Sequence, residues 1–86
     1  MFKLNGEGVL TVTLPEGKTS LELLAEGQVE IRALVETGAT FGRDIKIIGR
    51  ITTGLALMLG HELGNVCRSV SLFDPKEGRY DLVIKH

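Results

Sequence analysis

The stretch from Asp44 to Phe73 leaves this chain few ways to fold. A short apolar run, Ile45 to Ile48 broken by Lys46, leads into Gly49-Arg50 and a pair of threonines. A leucine-rich segment follows and stops at Gly64-Asn65. Arg68–Phe73 then sets Val70 and Leu72 against Ser69 and Ser71, the period of a half-buried strand. Strand, helix and strand in that order form a crossover unit. Such a connection makes its two strands parallel and is right-handed in nearly all cases.

The flanks add hairpins. Phe2–Leu4 and Val9–Leu14 read as strands joined by Asn5-Gly6-Glu7-Gly8, whose residue types accept positive φ. On the second strand Leu10, Val12 and Leu14 share one face. Pro15-Glu16-Gly17 ends it, and Thr19 or Ser20 caps a helix with Glu22 or Glu26 near its first turns. Leu21, Leu24, Ala25, Ile31 and Val35 follow helical spacing. Gly27 interrupts that pattern and predicts a break, and Gly38 predicts the stop. Thr52 or Thr53 caps the second helix, on which Ala56 and Gly60 are small positions open to a neighbouring backbone. Asp74-Pro75-Lys76-Glu77-Gly78 is a tight turn before a last strand, Arg79–Ile84. The expected order is ββαβαββ. It describes a single α/β (α+β) domain over residues 1–86, with helices packed on a small mixed sheet, ferredoxin-like or Rossmann-like.

Eighty-six residues bury only about 60–65% of their unfolded surface, so oligomerisation is a natural source of further burial. The single cysteine, Cys67, precludes an internal disulfide framework and fits a reducing, cytoplasmic compartment; its place beside an apolar run predicts a buried thiol. Met1-Phe2-Lys3 runs straight into a polar turn rather than a signal peptide, and no apolar run reaches the length of a membrane span. Three phenylalanines, one tyrosine and no tryptophan offer no visible platform for stacked bases. The net charge of −1 argues against bulk electrostatic grip on long nucleic acid. Charge is uneven, however. Residues 1–42 carry Lys3, Lys18 and Arg32 against six glutamates, whereas seven basic residues face five acidic ones from residue 43 onward. If either half binds an anion it is the second, the plain alternative being a chance distribution.

Gly49-Arg50-Ile51-Thr52-Thr53 has the parts of a phosphate cradle. Glycine admits close approach, arginine is a forked donor, and the threonines stand where a helix begins with free amides. The plain alternative is an ordinary helix cap beside a surface arginine. His61-Glu62-Leu63-Gly64-Asn65 begins like the metalloprotease pattern H-E-x-x-H but ends in asparagine, a poor zinc ligand, so that reading fails. Asp74-Pro75 opens a turn by its chemistry, yet it also follows a strand expected parallel to 44–48. Ligands of open α/β sheets bind at the carboxyl ends of such strands. Arg50 and Asp74 share that end. Thr52 and His61 are nine residues apart, about 14 Å along a helix. His61 therefore belongs at the opposite end: either it is unrelated structure, or the working site is assembled between molecules, as in a head-to-tail stack.

Ile48-Gly49-Arg50, the helix ending Leu59-Gly60-His61, the strand ending Phe73-Asp74-Pro75, the Gly78 turn and the close on Lys85-His86 together resemble a CRISPR-associated family, the third of the Csx series. The resemblance covers residues 44–86 by motif and 1–43 by element order. Members are described as manganese-dependent RNA deadenylation exonucleases and as ring nucleases that linearise cyclic tetra-adenylate in type III CRISPR defence, at a site spanning two dimers. The resemblance implies family roles for His61 and Asp74, and for His86 as the late histidine. These three would be the manganese ligands, with His61 and Asp74 acting on the scissile phosphodiester. Gly49, Arg50, Thr52, Thr53 and Lys76 would hold ligand, Lys76 standing where members often have arginine. The family's second histidine has no counterpart in Gly64-Asn65. The expected function is thus cleavage or binding of cyclic tetra-adenylate by a homodimer, at a site shared between stacked dimers, with cyclic oligoadenylate or short RNA as partner. The alternatives are a non-catalytic cyclic oligoadenylate-binding module, an RNA 3′-end exonuclease, and a structural oligomer that binds no nucleotide.

Overall fold

The computed structural model describes residues 1–85; His86, one of the expected metal ligands, lies outside the described residues. The chain turns first at Asn5, whose Oδ1 accepts the amides of Glu7 and Val9, both at 2.9 Å. That turn sets β1 (Phe2–Leu4) antiparallel to β2 (Val9–Val12). β2 is shorter than expected, although the Thr13 amide still reaches the Met1 carbonyl at 2.8 Å. Helix α1 (Ser20–Glu36) leads to β3 (Asp44–Gly49), and α2 (Thr53–Gly64) leads to β4 (Ser69–Asp74). β5 (Arg79–Lys85) closes the sheet. The order ββαβαββ is the expected one.

The five strands lie in chain order, β1-β2-β3-β4-β5. β2, β3 and β4 are parallel neighbours, and the outer pairs are antiparallel. Two successive right-handed crossovers stepping the same way across a sheet place both helices on one face, where α1 and α2 pack against each other. No described helix covers the other face. Because the strand order never reverses, this sheet has no topological switch point.

The core fills the space between sheet and helices. Leu10, Val12, Ile45, Ile47 and Val70 point from the strands toward Ile31, Leu55, Met58, Leu59 and Leu63. Cys67 is buried among them, as expected. Thr19 caps α1 in a reciprocal box: its hydroxyl accepts the Glu22 amide while the Glu22 carboxylate accepts the Thr19 amide, each at 3.1 Å.

The first helix departs from expectation in two ways. It runs unbroken through Gly27, which is buried where the helices meet. A Cβ there would stand 2.7 Å from Leu55 Cδ1 and 3.2 Å from Met58 Cε, so the glycine lets α2 close in. The helix tolerates its low propensity, about 1 kcal/mol, in exchange for that contact. Its buried stripe is also Leu23, Gly27 and Ile31 rather than one through Leu21 and Ala25; Leu21 is 76% exposed. On α2, Leu57 likewise faces outward, while Ile84 from β5 reaches toward Gly60 and Gly64. The partner at Gly60 is therefore a side chain and not a backbone.

Candidate functional site

The carboxyl ends of β2, β3 and β4 and the N-termini of both helices meet at one end of the sheet, here the upper pole. Gly49 ends β3 there at φ 126, a conformation that disfavours any Cβ. Its neighbour is the β2 backbone: the built Cβ would come within 2.3 Å of the Val12 carbonyl oxygen. Gly49, expected to admit a ligand, thus also serves strand packing. Its φ also turns the chain so that Arg50 leaves the sheet. Arg50 is exposed and has no hydrogen bond or ion pair among the described residues.

Ile48, Gly49, Arg50, Ile51, Leu72, Phe73 and Pro75 line one open cleft. The fold therefore brings Gly49-Arg50 to the Phe73-Asp74-Pro75 strand end. Thr52 and Thr53 stand apart from it. They line an adjoining depression with Ser20, Leu21, Leu24, Gly54 and Leu55, where the two helices begin side by side. The Thr52 hydroxyl accepts the Leu55 amide at 3.2 Å and is the α2 cap; Thr53 is exposed in the first turn. The expected cradle is thus divided into an arginine cleft and a neighbouring helix-start depression.

Asp74 carries out the turn chemistry of its sequence. Its Oδ1 accepts the amides of Lys76 at 2.9 Å and Glu77 at 3.4 Å, and its carbonyl accepts the Gly78 amide at 2.8 Å. Oδ2 takes no partner among the described residues. Lys76 is exposed at the turn tip. His61 is exposed in the last turn of α2, at the opposite, lower pole, and makes no hydrogen bond among the described residues. The Glu62 carboxylate beside it is structural: it accepts from Arg32 Nε at 3.0 Å and Gln28 Nε2 at 3.4 Å, joining the two helices.

Of the three expected manganese ligands, the described residues include His61 and Asp74. His61 and Asp74 stand at opposite poles, and one Asp74 oxygen is committed to the turn. Among the described residues no three His, Cys, Asp or Glu side chains converge.

Composition gave no hint of an aromatic array beside the cleft. Phe73 on β4 pairs with Tyr80 on β5 across the helix-free face. Their rings meet edge-to-face, with centroids 5.2 Å apart and planes at 68°. Lys46 Nζ lies 5.6 Å from the centre of the Tyr80 ring. A signal for the pair was present only once the turn is taken as Pro75–Gly78, because Phe73 and Tyr80 are symmetric about those four residues and hairpin pairing sets such residues opposite each other. Comparison with family models, with curated proteins and with solved structures returns no match.

Proposed function

We propose that this protein is a cytoplasmic, homodimeric member of the third Csx family that binds and cleaves cyclic tetra-adenylate in type III CRISPR defence. The observation that carries the reading is the division of its chemistry between two poles. Arg50, without a protein partner among the described residues, stands beside the Asp74-Pro75 strand end, while His61 stands at the far end of α2. A reaction needing both draws them from two copies stacked head to tail. The β2-α1-β3-α2-β4 core also has the connectivity of one mononucleotide-binding half of a doubly wound sheet. That favours the Rossmann-like relationship over the ferredoxin-like one, whose order is βαββαβ.

The chemistry needs no group beyond the chain and the messenger. In the ring each 2′-hydroxyl adjoins its own 3′-phosphate. Arg50 of one copy holds the phosphate and stabilises the charge that builds on it. His61 of the neighbouring copy takes the 2′-hydroxyl proton as the 2′-oxygen bonds to phosphorus. The bond from phosphorus to the 5′-oxygen breaks and that oxygen gains a proton, leaving a 2′,3′-cyclic phosphate and a 5′-hydroxyl. The remaining Asp74 oxygen is placed to orient donors at the strand end, with Lys76 adding positive charge. Imidazole and carboxylate suit manganese, but no step here runs through a metal.

A second reading, binding without turnover, is favoured by the commitment of Asp74 Oδ1 to the turn amides and by the absence of an imidazole at Gly64-Asn65. Incubation of the full chain with cyclic tetra-adenylate or a short oligoadenylate RNA, with and without manganese, separates the readings by chromatography. Linear product from the ring that is lost in His61→Ala supports the nuclease. Intact ring recovered from a tight complex supports the binding module, and conversion of the linear RNA alone supports the exonuclease. Neither binding nor product overturns the proposal.

A further inference from the structure

The cleft at the upper pole has one cation and an otherwise apolar wall. Among the described residues Arg50 is its only charged lining residue; Ile48, Gly49, Ile51, Leu72, Phe73 and Pro75 make up the rest of the lining. A simple phosphate site has no use for such a wall, whereas a ligand with an anionic group and a flat apolar body uses both. We propose that this cleft binds a nucleoside monophosphate unit, with its phosphate on the Arg50 guanidinium and its base against the Phe73 ring. The proposal rests on the phosphate reading of Arg50 and adds recognition of the base.

The surroundings of Phe73 fit it for that role. Its ring is fixed edge-to-face by Tyr80 at 5.2 Å, and Tyr80 is in turn held under Lys46 at 5.6 Å. β4 and β5 set Phe73 and Tyr80 opposite each other in register, so the orientation comes from the sheet itself. A ring fixed before binding loses little freedom when a base stacks on it, and that preorganisation strengthens the contact. Stacking accepts any base but gains with its area, so purines should bind more tightly than pyrimidines. Tyr80 is a positioning residue.

The chain has no tryptophan, so Phe73→Trp installs a single reporter in the wall itself. Saturable quenching of that tryptophan by 5′-AMP is expected, with ribose 5-phosphate and adenosine each binding about 5- to 100-fold more weakly. Calorimetry on the unaltered chain with the same three ligands guards against a misfolded variant and should give the same ranking. Arg50→Met should abolish the advantage of AMP over adenosine. Tyr80→Leu should weaken AMP while leaving inorganic phosphate binding unchanged. Equal affinity of the unaltered chain for AMP and ribose 5-phosphate, or no binding of either, overturns the proposal. AMP binding with cyclic tetra-adenylate neither bound nor cut sinks the ring nuclease reading and leaves this site standing. Ring cleavage indifferent to Phe73→Ala does the reverse.

Discussion

β3 is flanked by the same dipeptide twice, Gly42-Arg43 before it and Gly49-Arg50 at its end, and the two arginines have opposite fates. At the lower pole Arg43 is consumed by the fold. Its guanidinium donates to the Ala39 carbonyl at 3.2 Å and to the Gly6 carbonyl at 2.8 Å, tying the chain after α1 to the first hairpin. Its own carbonyl accepts the Arg68 amide at 2.8 Å. Cys67 is sealed nearby; burial pushes its thiol above the usual 9.0, and the Thr40 hydroxyl offsets part of that shift. At the upper pole Arg50 meets no protein acceptor among the described residues and borders an open cleft. One end of the sheet spends its cation on cohesion, and the other leaves it free for an anion from outside.

The strongest test of this contrast lies in the glycines. Gly49→Ala places a Cβ against the Val12 carbonyl at a positive φ and should cost about 3 kcal/mol or more. Gly42, at φ 67, has nothing within 4 Å of its built Cβ, so Gly42→Ala should cost about 1 kcal/mol from backbone strain alone. Urea titrations of the two variants compare these costs directly, and equal midpoints would remove the distinction. The arginines come next. Arg43→Met should lower stability by about 1 kcal/mol through the lost bonds, chiefly the part-buried one to Ala39 since water can reach the exposed Gly6 carbonyl, or about 5 °C in Tm for a domain of this size. Arg50→Met should leave Tm nearly unchanged while weakening anion binding. The smallest effect concerns the cap of α1 at the upper pole. The Thr19 backbone amide and then its hydroxyl hold the Glu22 carboxyl below its usual 4.5. A depressed carboxyl stabilises the fold at pH above its unfolded value, and that contribution is lost as pH falls through the folded value. Thermal melts of Glu22→Gln should therefore show their largest deficit near neutrality, shrinking as pH drops below 4.5. Thr19→Ala should cost about 1 kcal/mol at neutral pH.

The contrast also marks how far the sequence could be read. Element order and strand faces were legible because they depend on near neighbours: Val70 and Leu72 alternate with serines, and Thr19 stands three residues before Glu22. The fate of each arginine was not, because it depends on acceptors brought in by distant segments. The Gly6 carbonyl lies 37 residues from Arg43. Gly27 was misread for the same reason, and the packing role of Gly49 was hidden by it. Gly27 was a local signal of a break until Leu55 arrived opposite it, and Gly49 one of close approach to a ligand until Val12 did. Arg50 and the Asp74-Pro75 turn were correctly expected at one end. The division of Thr52 and Thr53 from Arg50 was hidden, since the separating Ile51 shows its direction only in three dimensions.

The strictly sequential sheet carries a kinetic implication. Each strand finds its partner in the next strand along the chain, so no pairing waits for the two ends to meet. Loop-closure costs stay small, and the chain should fold quickly for a protein with parallel strands, adding one strand at a time.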